Sequence, residues 1–141
     1  HQRIILELSI VISNYIKNRN GSCEVNVAPF AVFLNDDNKN YVEPDISIIC
    51  DANKLDDKGC HGAPDWIIEI VSPGTQSRDY GIKLFKYRMS GVREYWIVNP
   101  ERKMVNVYDF ENDEATAVYS FDDTIPVTIY PDLSIKLSKL I

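Results

Sequence analysis

The 141-residue sequence predicts an α+β fold, with a mixed sheet covered by helices. Three observations carry that expectation. Helical periodicity appears in two separate segments, near residues 2–18 and 77–90. Short β-branched and aromatic runs lie between and after them. One of these, Pro64–Pro73, is apolar enough on both faces (Trp66, Ile67, Ile68, Ile70, Val71) to be a buried central strand.

In chain order, Gln2 to about Asn18 is an amphipathic helix. Ile5, Leu8, Ile12, Tyr15 and Ile16 recur at helical spacing, Lys17 and Arg19 favour the C-terminal dipole, and Asn20-Gly21 turns the chain out. Glu24–Leu34 reads as one long strand dented at Pro29, followed by a polar turn over Asn35–Asn40. Pro44-Asp45 leads into the strand Ile46–Cys50, and Asp51–Gly62 is a charged loop. After Pro64–Pro73, Ser77 is the expected N-cap of a helix with Asp79 in its first turn and Gly91 just beyond its end. Glu94–Val98 and Val105–Phe110 are the next strands, and the Glu94-Tyr95-Trp96 run is expected to pack internally around an ion pair. Ala115–Phe121 and Ile125–Tyr130 read as short edge strands, and Leu133–Ile141 as a last strand or short helix.

The whole is expected to be a single domain over residues 1–141. Because the chain opens on His1 rather than Met, it is expected to lack an N-terminal segment. A charge of −6 does not advertise a nucleic-acid binder, so such a role needs a local basic patch. No apolar run approaches the ~20 residues of a membrane helix, and no signal peptide is evident. Cys23, Cys50 and Cys60, an odd and scattered set, favour a reducing compartment over a disulfide framework, hence a cytoplasmic location. With only His1 and His61 in the chain, nucleophile–histidine schemes lack a base, and Cys60-His61 lacks the second ligand pair of a zinc site.

Glu69 is the misfit. A carboxylate in the middle of a buried strand needs a partner, and a metal ion is one of the few that offsets its desolvation. Strands close in sequence usually pair, so Asp45 and Glu69 are expected on adjacent strands. With the Ile70 carbonyl they form a hard oxygen set suited to Mg²⁺ or Mn²⁺. The following segment, Arg78–Arg93, carries five cations against one acid. Asp79, Lys83 and Lys86 share a helix face, flanked by apolar arcs of Ile82, Phe85 and Met89 on one side and Tyr80, Leu84 and Tyr87 on the other. Each residue also has an ordinary reading: Asp45 as a strand start, Glu69 as the partner of a buried base, Lys83 as a solvated helix residue. Asp65 reads as strand-start structure, and Gln76 lies near enough in sequence to line the site.

Pro44-Asp45, then Ala63-Pro64-Asp65-Trp66-Ile67-Ile68-Glu69-Ile70-Val71-Ser72-Pro73, then Arg78-Asp79-x-x-x-Lys83-x-x-x-Tyr87, then Gly91-Val92-x-Glu94-Tyr95-Trp96-Ile97-Val98-x-Pro100 resembles the restriction endonuclease family called Uma-two. The resemblance spans most of the chain. It implies a restriction-endonuclease-like central mixed sheet flanked by helices, a divalent metal (Mg or Mn) and phosphodiester hydrolysis with DNA as substrate. Asp45 and Glu69 would be metal-binding and catalytic, Ile70 a carbonyl ligand, Lys83 catalytic, and Arg78 and Lys86 phosphate contacts. The superfamily signature, Pro-Asp…(Asp/Glu)-x-Lys, is broken here, because Val71 stands where the lysine belongs. The resemblance implies that Lys83 replaces it from the helix, and that an acidic residue upstream of His1 would complete the ligand set in family members. Cutting two strands would need two sites, hence a homodimer. The alternative is a catalytically silent nucleic-acid-binding or interaction module of the same fold. A carboxylate-pair glycosidase is weaker, for want of aromatics beside the pair.

Overall fold

A computed structural model describes residues 2–35, 37, 39–74, 77–113 and 115–141, without the side chains of 77–79. Helix α1 (Gln2–Asn18) is followed by β1 (Glu24–Val27), β2 (Val32–Phe33), β3 (Ile46–Ile49), β4 (Leu55–Asp56), β5 (Gly59–His61) and β6 (Trp66–Ile70). Then come α2 (Ser77–Ser90), β7 (Glu94–Asn99), β8 (Met104–Asp109), β9 (Ala117–Ser120), β10 (Ile125–Pro126) and β11 (Ser134–Ile135). The main sheet has the order β1-β3-β6-β7-β8-β9. Within this sheet, among the described residues, only β6 and β7 run parallel, which is what a strand–α2–strand crossover requires; the other neighbouring strands are antiparallel. The expected α+β fold with a mixed, helix-covered sheet is therefore what forms.

Alternation along β6 divides the interior. Trp66, Ile68 and Ile70 face α1, whose Ile4, Leu8, Ile12 and Ile16 form an i, i+4 seam buried against them. Ile67 faces the other way, into a second core with Tyr87 and Tyr95, and partly buried Leu84 and Ile97 pack on it. All five β6 residues are buried, as both covered faces demand.

The strand expected over Glu24–Leu34 is broken in two. Pro29 has no N–H for a ladder, the Ala28–Pro29 peptide is cis, and β2 leaves the main sheet to pair with β5 instead. The Asp51–Gly62 loop contains β4 and β5, which complete that small sheet. Here Gly59 has φ 138°, and a Cβ on it would lie 2.1 Å from the Ala31 carbonyl oxygen. Gly59→Ala is expected to destabilise the protein by roughly 2 kcal/mol or more, read as a fall in the urea midpoint. The Ile125–Tyr130 strand shortens to two residues, and the tail holds both β11 and a 3₁₀ turn.

The cysteine expectation is corrected. Continuing the β1–β3 register places residue 23 opposite residue 50. Cys23 and Cys50 are joined there by a disulfide with Cα atoms 4.0 Å apart, and only Cys60 is free. Spacing along a sequence cannot show a cross-strand pair before the register is known. Among the described residues no helix is long and apolar enough to cross a membrane.

Candidate active site

The β3–β6 register pairs Ile46 with Ile68. One step further it brings Asp45, just before β3, opposite Glu69 on β6. Asp45 Oδ2 accepts a hydrogen bond from the Ile70 amide at 2.7 Å, which fixes the carboxylate across the gap between the strands. Glu69 points to the α2 face because its neighbours Ile68 and Ile70 point to α1. It is buried, 4% exposed.

Helix α2 supplies its partners. Lys83 Nζ donates to Glu69 Oε2 at 2.7 Å, and Tyr87 Oη, one turn on, donates to Oε1 at 2.6 Å. Two residues four apart share a helix face, so one helix orientation delivers both. Leu84 and Tyr87 face the sheet, whereas Ile82, Phe85 and Met89 face solvent. Lys83 lies on the border, its side chain 38% exposed. Burial alone would lower its pKa, but the hydrogen bond and charge of Glu69, with smaller effects from Tyr80 and Asp45, raise it above the ordinary 10.5. Lys83 is therefore a firmly protonated ammonium in this arrangement.

Sequence reasoning gave Tyr87 and Tyr95 no role at the site. The signal for Tyr87 was its i+4 spacing from Lys83. Tyr95 packs edge-on against Tyr87 with ring centroids 4.9 Å apart. Its hydroxyl is buried and has no hydrogen-bond partner among the described residues. Burial first, then the charge of Glu69, pushes the pKa of both tyrosines upward, so both stay neutral donors.

Lys86 is exposed on α2, three residues beyond Lys83. Gln76 and the side chains of Ser77, Arg78 and Asp79 lie outside the described residues. Asp65 is structural: Oδ1 accepts from the Cys50 amide and Oδ2 pairs with Arg93. Among the described residues Glu94 has no ion pair and instead accepts from the Trp96 indole and the Thr128 and Ile129 amides. Val71 donates its amide to the Val98 carbonyl, continuing the β6–β7 pairing.

The donor chemistry fits a hard divalent cation. Each carboxylate oxygen has lone pairs left after one hydrogen bond, and among the described residues Asp45 Oδ1 accepts none. The unpartnered Tyr95 hydroxyl lies in the field of both carboxylates, an unmet polar demand of the kind a hydrated cation satisfies. Two carboxylates are fewer than the three or more side-chain ligands of a closed protein cage, and no such cluster occurs among the described residues. Mg²⁺ sites usually retain waters and use one or two carboxylates plus substrate phosphate.

Residues 1–138 match the Uma2 family, described as "Putative restriction endonuclease". Over 114 residues the chain is 25% identical to the uncharacterized protein slr1290 of Synechocystis sp. (strain ATCC 27184 / PCC 6803 / Kazusa), covering 80% of this chain and 58% of that protein. The chain thus spans less than two-thirds of that relative. The structure also resembles the crystal structure of "a putative nuclease belonging to DUF820" from Anabaena variabilis, with a TM-score of 0.78 and 22% identity, covering 99% of this chain and 79% of the other. At that identity the likeness establishes a shared fold.

Proposed function

The chain belongs to the Uma2 family, and on that premise we propose that it is a Mg²⁺- or Mn²⁺-dependent DNA endonuclease that hydrolyses phosphodiester bonds. The observation that carries this reading is the convergence of Asp45 and Glu69 across β3 and β6, with Lys83 reaching Glu69 from α2. Asp45 and Glu69, with the Ile70 carbonyl, would hold the ion. When bound, such an ion supplies positive charge to the phosphate and makes water more acidic.

The chain's own residues do the rest. Lys83 brings an ammonium to the carboxylate pair, where it can balance charge that builds on the phosphate oxygens during attack. Tyr87 is a positioning residue: its hydroxyl holds Glu69 in one rotamer. Lys86, and Arg78 on the same helix, would contact flanking phosphates. Cutting both strands of a duplex would need a second copy of the site.

One observation favours a silent module instead. Glu69 is already matched by Lys83 and Tyr87, so the fold does not need a metal to offset the buried charge. Calorimetric titration of Mn²⁺ separates the two. Wild type is expected to bind, and Asp45→Asn to lose roughly tenfold or more in affinity, as one of two charged ligands is neutralised. No binding by a wild-type protein carrying any natural N-terminal segment would sink the nuclease and leave the silent module.

A further inference from the structure

A cleft of about 620 Å³ opens beside the carboxylate pair on the α2 face of the sheet. Its floor is Ile97, Asn106 and Tyr108, and its wall is Tyr80, Gly81 and Leu84 of α2. Ile97 is the register partner of Glu69, and Asn106 that of Ile97. The floor therefore begins one strand, about 5 Å, from the Glu69 backbone.

Two features of the lining are not explained by the chain's own packing. Gly81 sits inside α2, where glycine is the poorest helix former after proline. Among the described residues a Cβ there would meet no atom within 4 Å, so no contact among them requires the glycine. What it does is leave the cleft wall open. Asn106 is the second feature. Asparagine is disfavoured in strands, and this half-buried side-chain amide has no hydrogen-bond partner among the described residues. Its donor and acceptor are available to a ligand.

The remaining chemistry narrows the ligand class. Glu101 and Arg102 stand together at the cleft, so its charge is balanced and does not select a free anion. Leu84, Ile97 and the Tyr108 ring offer flat apolar contact, and Tyr108 is itself held by stacking on Tyr95 at 5.9 Å. A planar, neutral group with hydrogen-bonding edges fits this mixture. A nucleobase is such a group, and it arrives tethered to the phosphate at the neighbouring carboxylates.

We propose that this cleft receives one unstacked nucleobase of the strand cut at Glu69, so that the substrate is single-stranded or locally unpaired DNA. The proposal rests on the nuclease reading above. A paired base cannot enter without leaving its stack, and that penalty is least where the strand is already unpaired.

The test compares Mn²⁺-dependent cleavage of a fluorescent single strand and of its blunt duplex by wild type, Gly81→Leu and Asn106→Ala. Thermal melting of each variant is measured alongside. Wild type is expected to cut the single strand at least roughly tenfold faster, the scale of one base–aromatic contact. Gly81→Leu should melt no lower than wild type yet lose that preference, and Asn106→Ala should reduce it. Equal cutting of both substrates by wild type, or an unchanged preference in Gly81→Leu, overturns the cleft proposal and leaves the nuclease standing. If no DNA is cut, the nuclease reading fails, and fluorescence titration of 2-aminopurine deoxyriboside decides the cleft separately. Binding abolished by Gly81→Leu supports a base site, and no binding overturns it.

Discussion

Lys83→Met is expected to lower DNA cleavage by roughly a hundredfold or more, the usual effect of deleting one charge-stabilising group at a reacting centre, while Mn²⁺ binding tightens. The opposite signs follow from a single contact. Lys83 Nζ is 2.7 Å from Glu69 Oε2, so the ammonium competes with a divalent ion for the same carboxylate. Methionine keeps the length and apolar contact of the stem but removes that competitor. Because the lysine is 38% exposed, solvent screens the pair, and the gain in Mn²⁺ affinity should be a few-fold, in line with about 0.2–1 kcal/mol for a half-exposed ion pair.

If Lys83 only balanced a buried charge, its removal would lower the melting temperature without separating cleavage from metal affinity. Lys83→Arg retains the charge in a wider, planar head and should recover part of the cleavage. Cleavage unchanged in Lys83→Met would remove the lysine from the mechanism and leave Asp45 and Glu69 to be judged alone.

How much of this site was legible beforehand depended on the range of the interactions. Asp45 and Glu69 could be placed on neighbouring strands because strands joined in sequence through short and medium loops usually pair, and the antiparallel register then set them opposite one another. Lys83 was legible because helical phase is local: the spacing that puts Tyr87 toward the sheet puts Lys83 near it too. What the sequence concealed were contacts whose geometry appears only after distant segments assemble. Cys23 and Cys50 are 27 residues apart and meet through a register that no spacing reveals. The break at Pro29 was legible as a dent but not as a change of sheet, since β2's partner, β5, lay in what read as a charged loop.

Glu94 shows the same limit most sharply, and its replacement is expected to have the largest effect on stability. It looked like half of an ion pair, yet its partners are the Trp96 indole at 2.7 Å and the amides of Thr128 and Ile129 at 3.1 and 3.0 Å, more than thirty residues away. The carboxylate thus fastens the segment after β10 to the central strand β7, on the face packed by α1. Glu94→Ala would leave two half-buried backbone amides and the buried Trp96 indole without an acceptor. At about 1–3 kcal/mol for each orphaned donor, a loss on the order of 3–5 kcal/mol is expected, a large share of a typical 5–15 kcal/mol. A melting temperature within a few degrees of wild type would refute the anchoring role. Glu94→Gln should fall between the two, because an amide offers one acceptor oxygen and turns an N–H₂ toward the remaining donor. The pH dependence adds an independent check. Burial pushes the Glu94 pKa above its ordinary 4.5, and its three hydrogen bonds only partly oppose this. The folded state therefore keeps a proton that the unfolded chain has already released. Its stability contribution declines as pH rises from about 4.5 through the raised folded value and is level above that. Wild type should accordingly exceed Glu94→Gln by most in acid, with the gap narrowing toward neutrality, when melting temperatures are compared between pH 4 and 8. A gap that widens with pH would mean that the two amides and the indole outweigh burial, and that the anchor is strongest as the ionised carboxylate.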